Sequence, residues 1–197
     1  MKGILCFGDS ITYGRGELPS LGWVGRLQKD FQDEDHKGVY NLGIPGDTSV
    51  GLKKRISVEC ELRCRRVHPS HYKVVIAIGM NDLKSSDDFK TQVSIGDFRK
   101  NVVDCIDFAL EHADEVFLFG ITTVNEMITM DWEGSAFTNT DILEYNRVLK
   151  EISSEKGIKF LDLFDSIEDI RGDLSDGLHP NSSGYDKMYA RVKEFLL

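Results

Sequence analysis

Short apolar runs alternate with longer stretches of helical spacing along nearly the whole chain. The runs lie at residues 4–7, 39–42, 74–78, 116–119 and 158–161. The third, Val74-Val75-Ile76-Ala77-Ile78, is apolar on both faces, the mark of a strand covered on both sides. Between the runs, apolar residues recur every three or four positions. Trp23, Val24, Leu27 and Phe31 form one such stripe, and Leu52, Ile56, Cys60, Cys64 and Val67 a second. Ile95, Phe98, Val102, Ile106, Ala109 and Ala113 form a third, and Ile142, Tyr145, Leu149 and Ile152 a fourth. Tyr185, Met188, Tyr189, Val192 and Phe195 close the chain with a fifth. This spacing places each set on one helix face.

Strands that alternate with helices join through right-handed crossovers, which produce a parallel sheet with helices on both faces. The pattern therefore predicts an α/β fold: a three-layer αβα sandwich with a five-stranded parallel sheet in the flavodoxin-like order 2-1-3-4-5. It predicts a single domain over residues 1–197. Two stretches, 85–91 and 122–138, show no regular period and read as long loops, which in compact domains are often functional.

Composition narrows the partners. The formal net charge is −9, a poor match for nucleic acid, whose binding needs a basic field. The densest basic stretch, Lys53-Lys54-Arg55 through Arg63, Arg65 and Arg66, is interrupted by Glu59 and Glu61 and reads as a solvated helix face. No apolar run approaches the roughly 18 residues of a membrane span. A first strand beginning this early leaves no room for a signal peptide. The four cysteines, Cys6, Cys60, Cys64 and Cys105, form no disulfide framework. A reducing, cytoplasmic setting is expected. Cys60, Cys64, His68 and His71 invite a zinc reading. Cys60 and Cys64 share the apolar stripe of their helix, however, and Pro69 interrupts the two histidines, so small buried hydrophobes are the simpler account and no metal is expected.

Ligands of such sheets bind outside the carboxyl ends of the strands. Ser10 follows the first strand, Gly46 the second, Asn81 the third, and Asp176 and His179 the fifth. All five belong to one edge of the sheet. His36, His68, His71 and His112 each precede a strand and belong to the other edge. Only His179 can reach Ser10. A serine becomes a useful nucleophile when a histidine takes its proton and a carboxylate fixes that histidine's tautomer. The spacing Asp176-x-x-His179 lets a turn fold the carboxylate back onto Nδ1, leaving Nε2 to face Ser10. Pro180 restricts His179 to an extended conformation. Acyl transfer also needs donors aimed at the developing oxyanion. The Ser10 N–H, the Gly46 N–H and the Asn81 amide can supply them. Gly46 reads equally as a turn glycine and Asn81 as a cap.

Gly8-Asp9-Ser10-Ile11-Thr12-Tyr13-Gly14 resembles the first block of the GDSL, or SGNH, hydrolases. Asn41-x-Gly43-x-x-Gly46-x-Thr48 resembles their second block, Gly79-x-Asn81-Asp82 their third, and Asp176-x-x-His179-Pro180 their last. The four blocks stand in the family's order and span residues 8 to 180. The resemblance implies Ser10 as nucleophile, His179 as base and Asp176 as its orienting acid. It implies an oxyanion hole of the Ser10 N–H, the Gly46 N–H and the Asn81 amide. It implies hydrolysis of a small ester or thioester without metal or organic cofactor. Thr123 stands where many relatives carry a proline. The Gly-x-Ser-x-Gly elbow of the α/β-hydrolases is absent, since position 12 is Thr12.

Asp9 neighbours the nucleophile and is a candidate substrate contact; its side chain should point away from that of Ser10, which favours a structural hydrogen bond. Met127, Met130, Trp132 and Phe137 crowd the loop after the fourth strand and are expected to line an acyl or alcohol pocket, or to pack on one another. Carbohydrate deacetylation or acyl transfer to another acceptor would use the same residues. A phosphate or nucleotide binder is the rival from another class, since Gly8 and Gly14-Arg15-Gly16 flank the first loop. Neither Gly-Lys-Ser/Thr nor Gly-x-Gly-x-x-Gly occurs there.

Overall fold

A computed structural model describes residues 3–19, 21–31, 38–64, 71–86 and 90–196. Its elements, in chain order, begin with β1 (Gly3–Gly8), α1 (Ser10–Tyr13), α2 (Gly22–Phe31), β2 (Gly38–Gly43) and α3 (Ser49–Arg63). Next come β3 (Tyr72–Ala77), β4 (Ser85–Ser86), α4 (Ile95–His112), β5 (Glu115–Phe119) and α5 (Glu126–Thr129). The chain ends with β6 (Ser135–Ala136), α6 (Asn139–Lys156), β7 (Lys159–Leu161), a 3₁₀ turn (Phe164–Ser166) and α7 (Ser182–Leu196).

The five apolar runs form one parallel sheet in the order β2-β1-β3-β5-β7. Counting only these five strands, this is the predicted order 2-1-3-4-5. The order reverses at β1, whose partners β2 and β3 lie on either side in matched register: Gly8 faces Gly43 on one flank and Ala77 on the other. Such a reversal opens a crevice at the carboxyl ends of the strands. α2 packs on α7, and α3 packs on α4, which meets α6. All six residues of β1 are buried, as expected of a central strand covered on both faces.

Local chemistry sets the helix ends. Thr48, Ser94 and Thr138 accept hydrogen bonds from N–H groups of the first turns of α3, α4 and α6, each satisfying a donor that lacks an intrahelical partner. Asp141 and Asp97 bond back to the Thr138 and Ser94 hydroxyls.

Three details depart from the sequence reading. The two stretches expected to be loops are tied together, since β4 pairs antiparallel with β6. The second also contains α5. These elements are only two to four residues long, too short to leave a period in the sequence. Arg55 is no solvated-face residue: its guanidinium lies over the Phe7 ring and bonds to Asp47 and to the Gly8 carbonyl. In agreement with the sequence, Cys60 of α3 and Cys64, which caps its C-terminal end, are buried in the core. Val67, His36, His68 and Pro69 lie outside the described residues. No helix among the described residues is long and apolar enough to cross a membrane.

Candidate active site

Ser10 opens α1 directly after β1. Asp9 caps this turn, its carboxylate accepting from the Ile11 N–H at 2.9 Å. Asp9 is buried, and its side chain holds the bend that presents Ser10. Burial, followed by the nearby charges of Asp82 and Asp47, pushes its carboxyl up to about 7.

His179 arrives from the opposite end of the chain. Its Nε2 lies 2.9 Å from the Ser10 Oγ and its Nδ1 2.7 Å from Asp176 Oδ2. The other carboxylate oxygen, Oδ1, accepts from the main-chain N–H of His179 (2.8 Å) and of Leu178 (3.1 Å). Both oxygens of Asp176 are thereby committed to the residue it orients. Burial works to raise the Asp176 carboxyl, but the bonds from the His179 ring and N–H groups outweigh it and hold the group at about 2. An ionised Asp176 accepts a hydrogen bond from Nδ1–H, which keeps the proton on Nδ1 and leaves the Nε2 lone pair for the Ser10 hydroxyl. Serine and histidine are both buried, where a hydrogen bond is stronger than in water.

The Asp176–His179 turn is held from two sides. The Ser175 N–H donates to the His179 carbonyl at 2.8 Å, and the Asn125 N–H, from the loop after β5, donates to the Gly177 carbonyl at 2.8 Å. Ile128 packs against Gly177. The segment after Ser10 is held separately: the Tyr185 hydroxyl of α7 donates to the Arg15 carbonyl (2.7 Å) and lies 3.1 Å from that of Ile11.

The loops after β2 and β3 complete the edge. Gly46 has φ 80, and the space where a side chain would stand is open. The Asn81 amide donates to the Asp47 carbonyl at 2.9 Å. Asp82 is fully buried and takes the Ser49 N–H with both oxygens at 3.0 Å; burial pushes its carboxyl up to about 6. Asp82 therefore holds the third loop against the second. Arg55 ties the second loop to the first through Asp47 and the Gly8 carbonyl, 2.9 and 3.1 Å away. The chain order hides this clamp. Its one trace is the place of Arg55 beside Ile56, at the border of the apolar stripe.

The four residues of the loop after β5 separate. Phe137 is buried beneath Trp132 and forms no open wall. Met127 is 83% exposed, with its sulfur near Arg171. Met130 is also mostly exposed. Trp132 alone of the four has its ring against the imidazole of His179. Thr123 uses what a proline lacks: its N–H donates to the Phe164 carbonyl, and its hydroxyl donates to Asn139.

With this geometry in hand, residues 6–187 match the sequence pattern of the GDSL-like lipase/acylhydrolase family. The chain belongs to that family. A multidomain esterase of Ruminococcus flavefaciens is 27% identical over 118 residues, 58% of this chain and 14% of that protein. Esterase TesA of Pseudomonas aeruginosa is 44% identical over 54 residues, 27% of each chain. The chain thus spans well under half the length of these two curated relatives. The crystal structure of the lipase/acylhydrolase from Enterococcus faecalis superimposes with a TM-score of 0.76 at 25% identity, over 100% of this chain and 95% of that one. The sheet order and the four GDSL blocks therefore sit in a fold that this family shares.

Proposed function

We propose that the protein cleaves carboxylic esters or thioesters through an acyl-enzyme on Ser10. The observation that carries this reading is the continuous relay Asp176–His179–Ser10, with contacts of 2.7 and 2.9 Å. Ser10 Oγ attacks the carbonyl carbon while His179 Nε2 takes its proton. Asp176 stabilises the imidazolium that forms and is itself not protonated. The carbonyl oxygen, now an oxyanion, is received by the Ser10 N–H, the Gly46 N–H and the Asn81 amide. One such donor contributes roughly 10²–10³ in kcat. His179 then gives its proton to the departing alcohol or thiol. Water, activated by the same imidazole, releases the acid and restores the serine. These steps use the chain's own groups and water alone.

The test is hydrolysis of p-nitrophenyl acetate, p-nitrophenyl butyrate and a short acyl thioester. The wild-type protein should turn over all three or a subset, and Ser10→Ala should lose roughly 10⁴-fold or more in kcat. Turnover that survives Ser10→Ala would contradict the reading.

A further inference from the structure

The indole of Trp132 stands edge-on to the imidazole of His179, with ring centres 6.3 Å apart and planes at 61°. It meets Phe137 in the same manner, at 6.0 Å and 87°. Its backbone is pinned. Trp132 and Ser135 exchange two main-chain hydrogen bonds of 2.7 and 3.0 Å, closing a turn whose central residues Glu133 and Gly134 have φ 52 and 74. Positive φ at both central positions is the signature of a tight two-residue hairpin. Ser135 and Ala136 then pair with β4, and Phe137 is held by Thr129 through main chain and hydroxyl. The indole is therefore a fixed, half-buried wall beside the base.

The stereochemistry of acyl transfer says which half of a substrate meets that wall. The tetrahedral carbon on Ser10 carries the serine oxygen, the oxyanion, the leaving atom and the acyl carbon. The oxyanion turns toward the loops after β2 and β3. The leaving atom must receive its proton from His179 Nε2, so it lies on the imidazole side. The acyl carbon takes the remaining direction. A ring against the imidazole thus borders the leaving group.

Building on the roles proposed above for Ser10 and His179, we propose that Trp132 sets selectivity for the alcohol or thiol half of the substrate, favouring leaving groups that bear a flat ring over short alkyl groups. A flat apolar face gains stacking contact with an indole that a methyl or ethyl group cannot make.

The experiment compares the wild type with Trp132→Ala and Trp132→Phe on two ester series. The first holds the acyl group constant: ethyl acetate against benzyl acetate, whose alcohols have similar acidity. The second holds the alcohol constant: benzyl acetate, butyrate and octanoate. Trp132→Ala should lower the benzyl-over-ethyl ratio of kcat/KM about tenfold. Trp132→Phe should restore most of it, and the ratios within the acyl series should stay within about twofold of wild type. Hydrolysis of a preformed acetyl-enzyme should be unchanged, because the leaving group has gone by then. An unchanged benzyl-over-ethyl ratio would overturn the proposal, as would a shift confined to the acyl series or an equal loss on every ester. Trp132→Phe carries the test if the alanine variant does not fold. A wild type inactive on all esters, or turnover independent of Ser10, would instead remove the catalytic reading beneath it.

Discussion

The side-chain amide of Asn81 donates to the main-chain carbonyl of Asp47, 2.9 Å away. An amide nitrogen carries two N–H bonds. Fixing one on the neighbouring loop sets the plane of the group and directs the other away from Asp47. The loops after β2 and β3 thus offer Gly46 and Asn81 as one unit. Asn81→Ala should lower kcat roughly 10²–10³-fold with a much smaller change in KM. Steady-state kinetics on a short p-nitrophenyl ester check this; a change confined to KM would place Asn81 in ground-state binding.

Gly16 lies where the first and last blocks touch. Its φ is 98, and an added Cβ would stand 2.4 Å from the Pro180 carbonyl oxygen and 2.9 Å from the His179 Cβ. Backbone cannot yield cheaply there, so the His179 loop must move. Gly16→Ala should lower kcat by at least about tenfold, since small misplacements of a catalytic group are costly. Melting temperature and kcat measured on the same preparation check this. Wild-type activity in the variant would show that the loop position tolerates the push.

In the proposed mechanism Asp176 orients the base and Ser10 is the nucleophile, so their losses should differ. Asp176→Asn should retain roughly 10–100 times more kcat than Ser10→Ala. A second readout concerns stability. The Asp176 carboxyl is held near 2 in the fold, below its ordinary value, so its contribution to stability is present above about pH 4 and fades as the pH falls toward 2. Chemical denaturation between pH 5 and pH 2 should show a shallower acid loss in Asp176→Asn than in the wild type. Parallel curves would count against this pairing.

Asp9 has the opposite sign. Its carboxyl is raised to about 7 by burial, so the folded state holds a proton that the unfolded chain gives up near pH 4. That contribution is complete below pH 4 and is lost as the pH rises through 7. Asp82, raised to about 6, acts in the same direction. Asp9→Asn keeps an oxygen for the Ile11 N–H but removes the charge. Its melting temperature should exceed that of the wild type at pH 8 and approach it at pH 5. Equal differences at both values would show that Asp9 does not titrate in this window.

The sheet was legible because its strands are buried on both faces, which leaves continuous apolar runs such as 74–78 in the sequence. The edge rule then singled out His179 from five histidines, because strand direction alone decides which loops share an edge. What stayed hidden depends on tertiary contact. β4, β6 and α5 are held by cross-loop hydrogen bonds rather than by period. Arg55, Asn125 and Ile128 support the site from elements far away in sequence, and the place of Arg55 beside Ile56 does not reveal a partner 47 positions away, as Gly8 is. For Phe137 the sequence leaves a pocket wall and packing within the loop both open, because an apolar residue in a loop looks the same whether it faces a substrate or lies beneath Trp132.

The central claim is that Ser10 is a nucleophile activated by His179. It is tested most directly by labelling the intact protein with a fluorophosphonate probe and mapping the modified peptide. The account predicts one phosphonylated residue, Ser10, and loss of labelling in His179→Ala. Modification at another residue, or undiminished labelling of Ser10 in that variant, would contradict it.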